Sequence, residues 1–136
     1  MKSVELVEVA VEPVVVFVVD DTRDTREALS KLLRREGYHT VCGSNGWEAI
    51  KALEESVPSV VLLDIEMPVM NGLSTLQAIR QDPTWHYLPV LILSGNTDEQ
   101  SVGEARRLGA SDYLVKGTTP LKDVVRRVRD YASLPA

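Results

Sequence analysis

Short β-rich runs alternate with amphipathic helical patterns five times along the chain. The runs are Val14–Val19, Tyr38–Cys42, Ser59–Leu63, Pro89–Leu93 and Ser111–Val115. Three of them are nearly continuous apolar stretches, the pattern of strands covered on both faces of a parallel sheet. The first intervening segment carries Ala28, Leu29, Leu32 and Leu33 on one helix face, with Gly37 where a left-handed cap belongs. Trp47, Ile50 and Leu53 make a second apolar stripe; Leu73, Leu76 and Ile79 make a third, after an Asn71-Gly72 turn. Val102, Ala105 and Leu108 form a weaker fourth, closed by Gly109. Leu121, Val124, Val125, Val128 and Tyr131 form the cleanest helical repeat of all.

Five such units predict an α/β domain: a doubly wound five-stranded parallel sheet with helices on both faces. Right-handed crossovers leave few topologies, and the flavodoxin-like strand order 2-1-3-4-5 suits the length. The expected boundaries are an N-terminal extension over 1–13, the domain over 14–132 and a tail over 133–136. Within the extension Val7, Val9 and Val11 alternate with Glu8, Ala10 and Glu12, which fits either an extra half-buried strand or a frayed terminus. At 136 residues the chain buries enough surface to need no disulfide or metal staple.

Charge and composition exclude several function classes. A net charge of −5 argues against direct nucleic-acid binding, which needs cations to displace counterions from phosphates. That charge is uneven, because residues from Lys116 onward carry five positive and two negative side chains. A solvated basic helix face is the ordinary explanation. The single cysteine, Cys42, cannot form an internal disulfide and is expected as a small buried apolar residue in a reducing compartment. The longest purely apolar run, Val14–Val19, is too short to cross a bilayer, and no leader pattern opens the sequence. The expectation is a cytoplasmic domain without membrane contact.

In doubly wound sheets ligands bind beyond the carboxyl ends of the strands. There the sequence places Asp20-Asp21 after the first run, Asp64 after the third, Ser94 after the fourth and Lys116 after the fifth. Singly, each has a bland explanation: a helix cap, a turn residue or a solvated lysine. The fold gathers all five on one rim. Three clustered carboxylates need either a proton or a cation between them, and oxygen ligands with an incoming phosphate suit Mg²⁺. A carboxylate can also act as a nucleophile and form an acyl phosphate. Phosphoryl transfer asks chiefly for neutralised equatorial oxygens, which Lys116 as a point charge and the Ser94 hydroxyl would help supply.

At these residues the sequence resembles the receiver domain of two-component response regulators, the family of the chemotaxis protein CheY. The resemblance runs from Val14 to about Ala132. It is carried by Val18-Val19-Asp20-Asp21, Leu62-Leu63-Asp64-Ile65-Glu66-Met67-Pro68, Asn71-Gly72, Leu91-Ile92-Leu93-Ser94-Gly95 and Gly109-Ala110-Ser111-Asp112-Tyr113-Leu114-Val115-Lys116. Separations of 30 from Asp64 to Ser94 and 52 from Asp64 to Lys116 also match.

The resemblance implies a role for each residue. Asp64 would accept a phosphoryl group from a histidine of a sensor kinase or phosphotransfer protein. Asp20, Asp21, Asp64 and the backbone carbonyl of Glu66 would hold Mg²⁺. Ser94 and Tyr113 would form a switch pair, reshaping the surface of the fourth helix, fifth strand and fifth helix for a downstream protein target. On that surface Asp98, Glu99 and Glu104 could meet Arg126, Arg127 and Arg129 across a symmetric homodimer. Glu66 and Asn96 match positions that tune the lifetime of the acyl phosphate. The family usually has proline after the lysine, often through a cis bond, whereas Gly117 follows here and favours trans. That substitution leaves the placement of Lys116 open.

The residues also bear on other functions. A flavodoxin would carry a Ser/Thr/Gly phosphate loop where this chain has Asp20-Asp21-Thr22-Arg23-Asp24. An aspartate-nucleophile phosphatase would space its acids by one residue. A receiver-like scaffold that does not turn over phosphate is the alternative that Gly117 favours. His39 and His86 are read as non-catalytic, and Trp85 with Tyr87 as a rim packing cluster. Only five residues follow Tyr131, which fits both a stand-alone receiver and part of a longer regulator or hybrid kinase.

Overall fold

A computed structural model describes residues 13–133 of the chain. The elements alternate without exception: β1 (Val15–Val19), α1 (Arg23–Arg35), β2 (His39–Gly43), α2 (Gly46–Glu55), β3 (Val60–Leu63), α3 (Gly72–Gln81), β4 (Val90–Ser94), α4 (Glu99–Arg107), β5 (Asp112–Val115) and α5 (Leu121–Ala132). The strands form one parallel sheet in the order β2-β1-β3-β4-β5, as the sequence pattern predicts. Strand limits differ from the apolar runs by one residue, because ladder bonds rather than hydrophobicity end a strand. The alternating segment at Val7–Val11 lies outside the described residues.

Side chains of each strand alternate between two cores. Phe17, Val19, Val61, Leu63, Val90 and Ile92 face one way and pack against Ala49, Leu53, Leu76, Ile79 and Ala105 of α2, α3 and α4. Val16, Val18, Val60, Leu62, Leu91, Leu93 and Leu114 face the other way, against Leu29, Leu33, Val124, Val125 and Val128 of α1 and α5. Both faces of the central strands are thereby dry, which is why their sequences are continuous apolar runs. Asn45, Asn71 and Asp98 cap α2, α3 and α4 by accepting the N–H of Glu48, Ser74 and Gln100. Among the described residues no helix is long and apolar enough to cross a membrane.

Expectations are corrected at three residues. Trp47 is 55% exposed rather than part of the apolar stripe of α2; Ala49 and Leu53 fill that face, and the Lys51 ammonium stands 5.2 Å from the Trp47 ring. Cys42 is exposed on the edge strand β2, with its sulfur 3.0 Å from the Ser30 hydroxyl. An edge strand has a neighbour on one side only, so its apolar residues are not all covered. Trp85 packs against the core as expected, whereas Tyr87 is exposed and meets His86 edge-on.

Arg80, near the end of α3, ties together segments that the sequence keeps apart. Its guanidinium donates to the carbonyls of Gly109 (2.8 Å), His86 (3.0 Å) and Leu88 (2.7 Å), and to the Ser111 hydroxyl at 3.3 Å. It thereby holds the loops that lead into β4 and β5 at the end of the sheet away from the acidic rim. Arg80→Met keeps most of the aliphatic stem but strands these acceptors. It should lower unfolding free energy by about 2–3 kcal/mol in urea denaturation, with unchanged secondary structure before the transition.

Candidate functional site

Parallel register brings the five strand-end residues together. Asp20-Asp21 follow β1, Asp64 follows β3, Ser94 ends β4 and Lys116 follows β5. Three of these residues continue the ladder onto a neighbouring strand through their own N–H groups. Asp20 donates to the Gly43 carbonyl (3.0 Å), Asp64 to Val19 (2.9 Å) and Lys116 to Ser94 (2.9 Å). The side chains are thus carried on sheet geometry rather than on free loops.

One carboxylate oxygen from each of Asp20, Asp21 and Asp64 lies within 4.8 Å of the other two. Asp20 and Asp64 are only 3% and 6% exposed, while Asp21 opens to solvent. Lys116 Nζ donates to Asp20 Oδ2 at 2.6 Å and to Asp64 Oδ2 at 3.2 Å. The Thr22 N–H caps the other Asp20 oxygen at 2.8 Å. Burial, seconded by the charge of Asp20, pushes the Asp64 carboxyl up to about 6, although Lys116 pulls it back. Burial pulls the Lys116 ammonium down, but its bond to Asp20 and the charges of Asp64 and Asp20 outweigh that and raise it. One ammonium against three carboxylates leaves a negative excess lined by hard oxygen donors, which fits a divalent cation such as Mg²⁺.

Ser94 is buried, and its hydroxyl accepts the Asn96 N–H at 3.1 Å. The half-buried Tyr113 donates its hydroxyl to the Asn96 carbonyl at 2.6 Å. Ser94, Asn96 and Tyr113 therefore form one connected group between β4, α4 and β5. Glu66 is exposed, and its carboxylate is not part of the acidic cluster. Gly117 takes a φ of +84°, a conformation that L side chains rarely adopt, and the described residues contain no cis peptide bond. The glycine path keeps Lys116 on the rim, so the loop reaches its target without the usual proline.

A family model for the response regulator receiver domain matches residues 16–129. The chain belongs to that family. MtrA of Mycobacterium tuberculosis, a DNA-binding response regulator, is 37% identical over 114 residues, covering 84% of this chain but 48% of MtrA. This receiver therefore spans about half the length of that relative. The chemotaxis protein CheY4 of Vibrio cholerae is 26% identical with a TM-score of 0.81, over 88% of this chain and 99% of that one. The Mn²⁺-bound form of response regulator Rcp1 is 25% identical with a TM-score of 0.77, over 91% and 100%. The chain is thus a signalling domain of two-component systems, a class that works with histidine kinases and downstream effectors.

Two positions beside the receiver site do more than the sequence indicates. Gly72 is more than a turn residue: a Cβ there would stand 2.0 Å from the Asp64 carbonyl oxygen, and its N–H donates to Ile65 at 2.8 Å. The bare glycine lets α3 start against the strand end that carries Asp64. Val69 adopts a φ of 68° while 84% exposed, in a tight turn where the Met70 N–H reaches the Pro68 carbonyl at 2.7 Å. A β-branched residue is a poor fit for that conformation, so nothing in the sequence announces it.

The acidic cluster has a pH signature. Between about pH 4 and 6 the native state of the metal-free receiver holds a proton on Asp64 that the unfolded chain has released, so stability falls as pH rises through that window. Asp64→Asn should therefore stabilise the protein in EDTA by roughly 2 kcal/mol at pH 7, with the gain closing near pH 4. Urea titrations of both proteins at the two pH values check this.

Proposed function

We propose that this receiver is a phosphorylation-dependent switch in which Asp64 accepts a phosphoryl group from the phosphohistidine of a sensor kinase or phosphotransfer protein. The observation that carries the reading is a buried carboxylate, Asp64, held 3.2 Å from an ammonium and beside two further acids at the strand ends. Asp20, Asp21 and Asp64, with the Glu66 carbonyl, would hold Mg²⁺; the Mn²⁺-bound structure of the related Rcp1 supports a metal here. When bound, the ion would neutralise charge on the incoming phosphoryl oxygens.

An Asp64 oxygen attacks phosphorus in line with the phosphohistidine nitrogen. The P–O bond forms as the P–N bond breaks, and the electron pair returns to the imidazole, which takes up a proton. Lys116 moves its charge from carboxylate to phosphoryl oxygen, and the Ser94 hydroxyl turns from the Asn96 N–H to donate to another oxygen. Loss of the Ser94 acceptor shifts the β4–α4 loop, and Tyr113 reports that shift to the α4-β5-α5 face for a downstream target. Glu66 and Asn96 flank the phosphoryl group and set the rate at which water removes it. A homodimer through α4-β5-α5 has less support. Arg126, Arg127 and Arg129 already pair within the chain with Asp123, Asp112 and Glu36, and would have to exchange partners to meet Asp98, Glu99 or Glu104. The scaffold alternative rests on Gly117, and Lys116 reaches Asp64 with that glycine in place.

Incubation with Mg²⁺ and acetyl phosphate, followed by intact mass measurement, tests the reading. One phosphoryl adduct is expected on the wild type and none on Asp64→Asn. Ser94→Ala should gain it on the order of ten- to a hundredfold more slowly, for loss of one hydroxyl donor. An adduct that survives Asp64→Asn would overturn the assignment.

A further inference from the structure

Arg26 stands on the second turn of α1, half-buried, and donates through Nη1 to the main-chain carbonyl of Asp20 at 2.7 Å. Asp20 is thereby held on every side. Its N–H donates to Gly43 at 3.0 Å, one carboxylate oxygen accepts from Thr22 at 2.8 Å, the other accepts from Lys116 at 2.6 Å, and its carbonyl accepts from Arg26. The carbonyl bond matters most for the next residue. An amide is planar, so fixing the oxygen of the Asp20–Asp21 peptide fixes the plane from which the Cα of Asp21 departs. Asp21 is the exposed member of the acidic cluster and makes no side-chain hydrogen bond or ion pair among the described residues. Its carboxylate still offers an oxygen within 4.8 Å of those of Asp20 and Asp64.

We infer that Arg26 is a positioning residue for divalent-cation binding, acting through the Asp20–Asp21 peptide and touching neither metal nor phosphoryl group. This rests on the proposed reading of the acidic cluster as a metal site. Charge and geometry make opposite demands here. A guanidinium bonded to the Asp20 carbonyl adds positive charge next to the cluster and repels an incoming cation, so if Arg26 acted by charge its removal would tighten metal binding. If it acts by holding the peptide, removal loosens Asp21 and weakens binding.

Calorimetric titration of the full chain with Mg²⁺, and electron-paramagnetic-resonance titration with Mn²⁺, separate the two. Arg26→Met should raise the dissociation constant three- to tenfold, and Arg26→Lys, which keeps a donor on a long stem, should recover part of that loss. Urea unfolding in EDTA checks that each variant is folded; if Arg26→Met is not, Arg26→Gln takes its place, with the same weakening expected. An unchanged or lower dissociation constant in the folded neutral variant overturns the positioning role. Absence of saturable binding by the wild type would instead overturn the metal reading of the cluster, and this inference with it.

Discussion

Asp20 and Asp64 stand at the ends of neighbouring strands, nearly excluded from water, with Asp21 close by and a single lysine between them. Left alone, such a group is unfavourable: like charges repel, and burial penalises each ionised form. The sheet imposes the arrangement. Backbone bonds from Asp20 to Gly43, Asp64 to Val19 and Lys116 to Ser94 extend the parallel ladder past the last regular residues, so the site residues cannot drift apart without breaking it. Stability spent on two dry cores is thus returned as a cluster poised for a cation and a phosphoryl group.

The remainder of the molecule serves that constraint. Gly72 lets α3 abut the Asp64 carbonyl, and Gly117, at a φ of +84°, follows the lysine that faces the acids. Arg80 secures the opposite end of the sheet, fixing the entry to β4 and β5. Between these fixed parts lies one adjustable group, in which the Ser94 hydroxyl and the Tyr113 ring meet through Asn96. A change of charge at Asp64 can bias that group because it is joined by single hydrogen bonds rather than by core packing.

Most of the fold was legible because parallel strands buried on both faces write themselves as apolar runs, and each run ends one step from a chemically distinctive residue. Asp20, Asp21, Asp64, Ser94 and Lys116 were found by that rule, and the structure brings them to one rim. The rule fails where a residue's environment depends on distant partners. Trp47 has the right period for the core, yet Ala49 and Leu53 occupy that face. Cys42 is apolar in type but sits on an edge strand. Arg80 and Arg26 have no local signal, because a long side chain finds its backbone acceptors only once the chain is folded. Gly117 shows the converse: the departure from the family pattern was visible, but that Lys116 stands 3.2 Å from Asp64 beside it required the loop's actual path.

One site at these strand ends, for a cation and a phosphoryl group on Asp64, is open to direct measurement. Beryllium fluoride mimics that group, and fluorine-19 NMR reads its binding directly. Bound-state fluorine resonances should appear with the wild type in Mg²⁺, vanish on chelation, and be missing in Asp64→Asn. A spectrum with only free beryllium fluoride species, for folded wild type in saturating Mg²⁺, would rule out such a site.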